Sequence, residues 1–99
     1  MSADDEGIGA SAPQPILRLR PEAIAWRAVE GEIVALDIEQ SEYVATNESG
    51  AAVWQALAEG ASIEQLVNLL VDRFEVDLDR ARADVEAFVN ELRARNYLR

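Results

Sequence analysis

The sequence IAWRAVEGEIVALDIEQSEYVAT, residues 24–46, contains three short segments rich in β-branched and aromatic residues, each followed by polar residues. The three segments are residues 24–29, 32–37 and 42–46. Glu30 and Gly31 between the first two predict a tight turn, because glycine adopts positive φ without steric cost. The second connection, residues 38–41, is mostly polar and has only four residues. Such short connections join antiparallel neighbours, so the sequence predicts a three-stranded antiparallel β-sheet.

After the third segment the apolar residues recur every three to four positions, which is the period of an amphipathic helix. Three helices are predicted, each with capping signals at its ends. The candidate caps are Asn47 or Ser49 with Gly60 for the first helix, Ser62 with Gln65 for the second, and Asp77 or Asp79 for the third. The order βββααα predicts an α+β domain in which a three-helix bundle follows the sheet and covers one of its faces.

The first 15 residues differ in composition from the rest of the chain. They are rich in Ala, Gly, Ser, Pro and acidic residues, with Ile8 as their bulky aliphatic residue. We therefore expect residues 1–15 to form a disordered acidic tail and residues 16–99 to form the domain. No apolar segment follows the acidic residues as it would in a secretory signal, and no run is long enough to span a membrane. A cytoplasmic protein that does not contact membranes is the expectation.

Composition excludes much of the usual catalytic chemistry. The 99 residues suffice for one domain, and they include neither Cys nor His. A thiol nucleophile, a Ser-His-Asp triad and the common zinc sites are therefore excluded. The chain has 19 acidic and 9 basic residues, a formal net charge of −10, which opposes binding to phosphate backbones. We expect no enzyme activity, no cofactor, no metal and no nucleic-acid partner.

Two features of the sequence could indicate a binding site, but each also has a structural explanation. Asp77 and Asp79 have the spacing of calcium ligands, but a calcium loop requires a glycine at its sharp turn, so helix capping is the preferred interpretation. Most of the aromatic residues are predicted to lie in the core. Tyr43 and Phe88 are the expected exceptions, because they belong to the third strand and the third helix.

The order of these elements resembles the PqqD-like family of leader-peptide recognition proteins in pathways that make ribosomal natural products. A hairpin at residues 26–37 is followed by SEYVATNESGAAVW at residues 41–54, which has the form S-x-Y-x-x-x-N-x-x-G-x-x-x-W. This form is most similar to the stand-alone recognition proteins of lasso-peptide pathways. The resemblance continues through Gly60 and the two later helices to Tyr97-Leu98. One departure is Thr46, where a larger apolar residue is expected.

The resemblance implies a winged-helix-like fold that binds the leader of a precursor peptide as an extra strand beside the third strand. It also implies two protein partners, a cysteine protease that removes the leader and an ATP-dependent cyclase. Apolar residues of the third helix would form the floor of a groove, and Glu39 and Glu42 would favour a basic leader residue. The residues expected to contact the peptide are Glu42, Tyr43, Val44, Ala45, Thr46, Asp84, Val85, Phe88, Val89, Glu91, Leu92 and Arg95.

Two other functions are compatible with the same pattern. A winged-helix DNA-binding protein would have the same order of strands and helices, but the arginines of the third helix alternate with acidic residues, whereas a DNA-reading helix usually has a basic face. A structural subunit that binds only the protease or the cyclase is the other alternative.

Overall fold

The computed structural model describes residues 14–99, in which three strands precede three helices. In chain order these are β1 (Ile24–Val29), β2 (Glu32–Asp37), β3 (Glu42–Ala45), α1 (Glu48–Glu59), α2 (Ile63–Phe74) and α3 (Leu78–Ala94). The predicted α+β class, with a three-stranded antiparallel sheet followed by three helices, is confirmed. Most of the predicted tail, residues 1–13, lies outside the described residues. The third strand ends at Ala45, one residue earlier than predicted.

The sheet has the order β1-β2-β3, with both neighbouring pairs antiparallel. Glu30 and Gly31 connect β1 to β2 with φ angles of 52° and 81°. Positive φ at both central residues is the geometry of the two-residue turn that matches the natural twist of a hairpin. This turn fixes the register of β1 on β2. Because β2 pairs with both other strands, it is the central strand, and the outer sides of β1 and β3 are the two edges of the sheet.

Side-chain caps begin all three helices. Asn47, rather than Ser49, caps α1 by accepting a hydrogen bond from the backbone N–H of Gly50 at 2.9 Å. Ser62 begins α2 with the predicted capping box. Asp77, rather than Asp79, caps α3, which supports the capping interpretation of this acidic pair. These caps satisfy N–H groups that have no partner inside the helix.

The core lies between the inner face of the sheet and the three helices. Trp54 and Tyr97 are its largest fully buried side chains, and the Tyr97 hydroxyl donates a hydrogen bond to the carboxylate of Asp37 at 2.8 Å. The segment before β1 adds Leu17 and Leu19 to the core. It forms isolated backbone bridges to the α1–α2 connection and to the C-terminal segment, and not a strand of the sheet. Both ends of the domain are thereby held against the helices.

Candidate functional site

The edge of β3 carries backbone groups that point away from the sheet. The N–H of Thr46 donates to the carbonyl of Ile33, the residue directly opposite, at 3.1 Å. In an antiparallel pair every second residue faces its partner strand, so Val44 also bonds towards β2. The N–H and C=O groups of Tyr43 and Ala45 therefore point outwards. Among residues 14–99, no further strand pairs with this side of the sheet.

A groove of about 510 Å³ lies between this edge and α3. Its apolar surface comes from all three helices and β3. On α3, the contributors include the half-buried ring of Phe88 and Leu92, which is only 3% exposed. The residues that line it are Val44, Ala45, Thr46, Asn47, Ser49, Gly50, Val53, Leu70, Asp84, Ala87, Phe88, Glu91, Leu92 and Arg95. The groove thus places an apolar trough directly beside the outward-pointing backbone of β3.

Gly50 keeps one end of the groove open. A Cβ atom at this position would lie 3.6 Å from Cε1 of Phe88, and only 3.1 Å from Cβ of Thr46 and 3.2 Å from Oδ1 of Asn47. Glycine is a poor helix former, so its presence in the first turn of α1 needs a reason. The reason is that there is little room for a side chain, since even a methyl group would crowd the strand end and approach the Phe88 ring.

The charged side chains of the groove are exposed and partly paired. Asp84 lies 3.5 Å from Arg80, and Glu91 lies 3.3 Å from Arg95. The hydroxyl of Tyr97 and, to a smaller extent, the carboxylate of Glu91 raise the pKa of Arg95, so its guanidinium stays charged. Exposed pairs of this kind contribute little to stability, which leaves both carboxylates and the guanidinium available to a bound molecule.

The structure brings together eight of the twelve residues expected from the sequence to contact a peptide. These are Val44, Ala45, Thr46, Asp84, Phe88, Glu91, Leu92 and Arg95. The expectation for Val85 and Val89 needs correction, because both are 0% exposed and lie in the core under the groove. Glu42 begins β3 without lining the groove, and the side chain of Tyr43 is on the opposite face of the sheet, 78% exposed.

Six lining residues were not expected from the sequence. Asn47 caps α1, and Ser49 and Gly50 lie in its first turn; the N-x-x-G spacing within the family-like pattern was the available signal. Val53, Leu70 and Ala87 carry no such signal, because apolar helix positions look the same whether they face the core or a groove. Thr46 makes a polar contact where a larger apolar residue was expected: its Oγ1 accepts a hydrogen bond from the N–H of Ile33 at 3.3 Å.

The part of the chain that the structure describes contains neither a cluster suited to a metal ion nor a membrane-spanning helix. Between residues 14 and 99, no three acidic side chains are grouped so that they could hold a metal ion. In the same part of the chain, no helix has both the length and the apolar character needed to cross a membrane. Of the six aromatic residues, Trp54 and Tyr97 are buried in the core, whereas Tyr43 is exposed and Phe88 is half-buried, as expected. The expectation that the others lie in the core is wrong for Trp26, which is 36% exposed, and only partly met for Phe74, which is half-buried.

Comparisons with known proteins agree with this geometry. The family model described as coenzyme PQQ synthesis protein D (PqqD) matches residues 32–98. The fold is similar to that of TbiB1 in complex with the TbiA(beta) leader peptide, with a TM-score of 0.75 and 22% identity over 82% of this chain and 93% of that one. It is also similar to lasso peptide synthetase B1 complexed with the leader peptide, with a TM-score of 0.72 and 29% identity over 84% and 96% of the two chains. No curated protein sequence matches.

Proposed function

The chain belongs to the PqqD family, and from this premise we propose that it binds the leader segment of a ribosomally made precursor peptide by β-strand addition to β3. The resemblance noted in the sequence is thereby confirmed. The observation that carries the proposal is the outward-pointing backbone of Tyr43 and Ala45 beside an apolar groove. An extended peptide needs both, because backbone hydrogen bonds hold it and side-chain pockets select it.

The magnitudes support a combined mode of binding. Tyr43 and Ala45 together offer two N–H donors and two C=O acceptors. At roughly 1 kcal/mol net for each hydrogen bond, the edge contributes about 4 kcal/mol. Ordering a flexible leader costs about 2–5 kcal/mol, so the backbone bonds alone give little affinity. Each apolar anchor buried in the groove adds roughly 1.5–3 kcal/mol, and two or three such anchors give useful affinity.

Within this proposal the groove residues have distinct roles. Phe88, Leu92 and Val44 provide the apolar contacts for peptide side chains that point inwards. Asp84, Glu91 and Arg95 border the trough and contact polar groups of the peptide. Glu42, with Glu39 in the preceding turn, favours a basic leader residue at that end of the strand. Val85 and Val89 act only by supporting the groove from the core.

The partners follow from the same proposal. The two similar structures are complexes with leader peptides, which supports a leader as the ligand. We propose that this protein presents the bound leader to a cysteine protease and an ATP-dependent cyclase of a lasso-peptide or related pathway. It would act in the cytoplasm, need no cofactor and carry out no chemistry itself, since the chain lacks Cys and His. The comparisons with leader complexes favour this role over DNA binding or a purely structural role.

The experiment is amide hydrogen exchange of the full chain with synthetic leader segments of candidate lasso-peptide precursors. Binding should slow exchange at the amides of Tyr43 and Ala45, which β3 directs outwards. The outward amides of β1, including that of Ala28, provide the internal control and should exchange as in the free protein. Absence of binding, or binding that leaves the Tyr43 and Ala45 amides unprotected, would overturn the proposal.

A further inference from the structure

We infer that the outer face of the sheet forms a second recognition surface, which contacts the residues of the bound peptide that point away from the groove. The inference rests on the proposed function, because it needs a peptide strand on β3. It extends that function from a single apolar groove to both faces of the added strand.

The outer face is unusually apolar for a sheet surface that is turned to solvent. Side chains alternate between the two faces, and the inner set includes the buried Ile33 and Ala35. The outer set is Ala25, Arg27, Val29, Glu32, Val34, Leu36, Tyr43 and Ala45. Six of these eight are apolar or aromatic, whereas the solvated face of an antiparallel sheet is usually polar. Val34 is 41% exposed and Tyr43 78% exposed, so this apolar surface is accessible.

One row of the outer face runs straight to the β3 edge. Ala25 lies opposite Leu36, and Leu36 lies opposite Tyr43. These side chains border a shallow depression of about 300 Å³. Directly opposed residues on neighbouring strands have Cβ atoms about 4.5–5.5 Å apart and contact each other. The row ends at Tyr43, whose ring has a neighbour on the β2 side and none on the other side among the described strands.

A strand added to β3 continues this row. The outward backbone groups of Tyr43 and Ala45 fix the register, so the peptide residues opposite them place their side chains on the outer face. The peptide residue opposite Val44 turns into the groove. The peptide is therefore read at consecutive positions: an inward apolar residue is selected by Phe88 and Leu92, and an outward aliphatic or aromatic residue is selected by Tyr43.

The peptide is a better occupant of this face than a second copy of the chain. The row is continuous with the edge at which the peptide would bind, whereas each copy of the chain has a formal charge of −10. Repulsion between two such charges opposes self-association through this face. Self-association remains an outcome that the test can detect.

The test is a selection from a displayed library of random 12-residue peptides, performed in parallel on the full-length wild type and two variants. Tyr43→Thr removes the ring at the end of the row and keeps a good strand former. Val29→Thr is the matched control, since Val29 is an exposed residue of the same face on the far strand β1. The wild-type selection should enrich apolar residues at every second position, which point into the groove. It should also enrich an aliphatic or aromatic residue at an odd spacing from them, which points to the outer face.

The Tyr43→Thr selection should lose the odd-spaced preference and retain the alternating one, and wild-type-selected peptides should bind this variant about threefold more weakly. The Val29→Thr selection should match wild type. If Tyr43→Thr selects the same pattern as wild type while the alternating preference persists, the inference fails and the proposed function stands. If no peptide is enriched on wild type, the proposed function itself fails. If both variants shift the sedimentation coefficient of the free protein, the face is a self-association surface and the inference is wrong.

Discussion

The two edges of the sheet present the same kind of backbone to solvent but have different surroundings. At β1, the N–H of Ile38 donates to the carbonyl of Ala23 at 3.1 Å, which directs the backbone groups of Ile24, Trp26 and Ala28 outwards. At β3, the corresponding groups belong to Tyr43 and Ala45. Both edges could accept a further strand, and on backbone hydrogen bonds alone β1 would be the better template because it is longer.

The two edges differ in the side-chain surface that lies beside each of them, which we call its wall. The β3 edge borders the groove with its apolar contributions from three helices. The β1 edge borders a smaller pocket of about 280 Å³, which is lined largely by the terminal segments of the domain, including the arginines Arg18 and Arg99. Since backbone bonds do not read sequence, an apolar wall is needed to turn an open edge into a recognition site. The comparison predicts that binding depends on the β3 edge and its wall, and not on β1.

The largest expected effect comes from closing one edge at a time with proline. Ala45→Pro removes an outward N–H and places a ring where the peptide backbone would approach, so leader affinity should fall about 100-fold. Ala28→Pro makes the same change at an exposed alanine on the β1 edge and should leave affinity unchanged. Anisotropy of a fluorescein-labelled leader measures both affinities, and thermal unfolding checks that both variants are folded. Equal losses at the two positions would show that the edges are equivalent and would break the comparison.

Choosing Ala45 rather than Val44 for the proline substitution requires information that the sequence does not contain. The three strands, the Glu30-Gly31 turn and the capping box at Ser62 were predicted, because residue preferences and short connections act locally. The end of β3 was placed one residue too late, and two cap candidates each were left open for α1 and α3. The phase of the hydrogen bonds along β3 depends on its register with β2, which hydrophobic pattern alone does not specify. Without that register, proline at Val44 and proline at Ala45 cannot be told apart as ways to block the edge. In the structure the N–H of Val44 faces β2, so proline at that position would damage the sheet.

A smaller effect is expected from the wall of the groove. Phe88→Ala removes a half-buried ring that contributes to the apolar trough, and leader affinity should fall about 20-fold, as for the loss of one apolar anchor. Phe74→Ala is the matched control, because Phe74 is also half-buried and does not line the groove. Isothermal titration measures the affinity of both variants. If Phe74→Ala weakens binding as much as Phe88→Ala, the loss reflects general destabilisation of the domain and the groove has no special role.

The groove itself was only partly predictable, for a reason that α3 illustrates. Val85, Phe88, Val89 and Leu92 form one apolar stripe in the sequence, but the structure buries the two valines completely and leaves the ring of Phe88 half-buried in the groove. An apolar helix face is wide enough to pack against the core and to line a surface trough at the same time. Which residues do which depends on how α3 packs against α2 and where this places α3 relative to β3, and no single-helix pattern contains that information.

A still smaller change tests the open end of the groove. Gly50→Ala adds one methyl group about 3.6 Å from the Phe88 ring, and leader affinity should fall about threefold because the trough becomes shallower. The effect on the free energy of unfolding should be small, since the better helix propensity of alanine offsets its crowding against Thr46. Urea unfolding and leader titration on the same samples separate the two effects. Unchanged affinity with normal stability would mean that the peptide does not reach this end of the groove.

The last prediction concerns β2, the central strand that pairs with both edge strands. Asp37 at the end of β2 accepts hydrogen bonds from the backbone N–H of Gln40 at 2.9 Å and from the Tyr97 hydroxyl at 2.8 Å. Those two hydrogen bonds lower the pKa of the Asp37 carboxyl. A carboxyl with a lower pKa in the folded state stabilises the fold above its unfolded pKa of about 4, and this contribution is lost as the pH falls through the folded value.

Asp37→Asn should therefore lower the free energy of unfolding at pH 7, and the difference from wild type should shrink as the pH is lowered below about 4. Urea unfolding over a pH series measures this difference, with Asp72→Asn, a change at an exposed carboxylate of α2, as the control. Because β2 supports β1 and β3 equally, the folded variant should retain the preference for the β3 edge in the hydrogen-exchange experiment. A leader that protected the outward amides of β1 in this variant would mean that the contacts of Asp37 take part in edge selection, and the wall beside β3 would then not be sufficient to explain it.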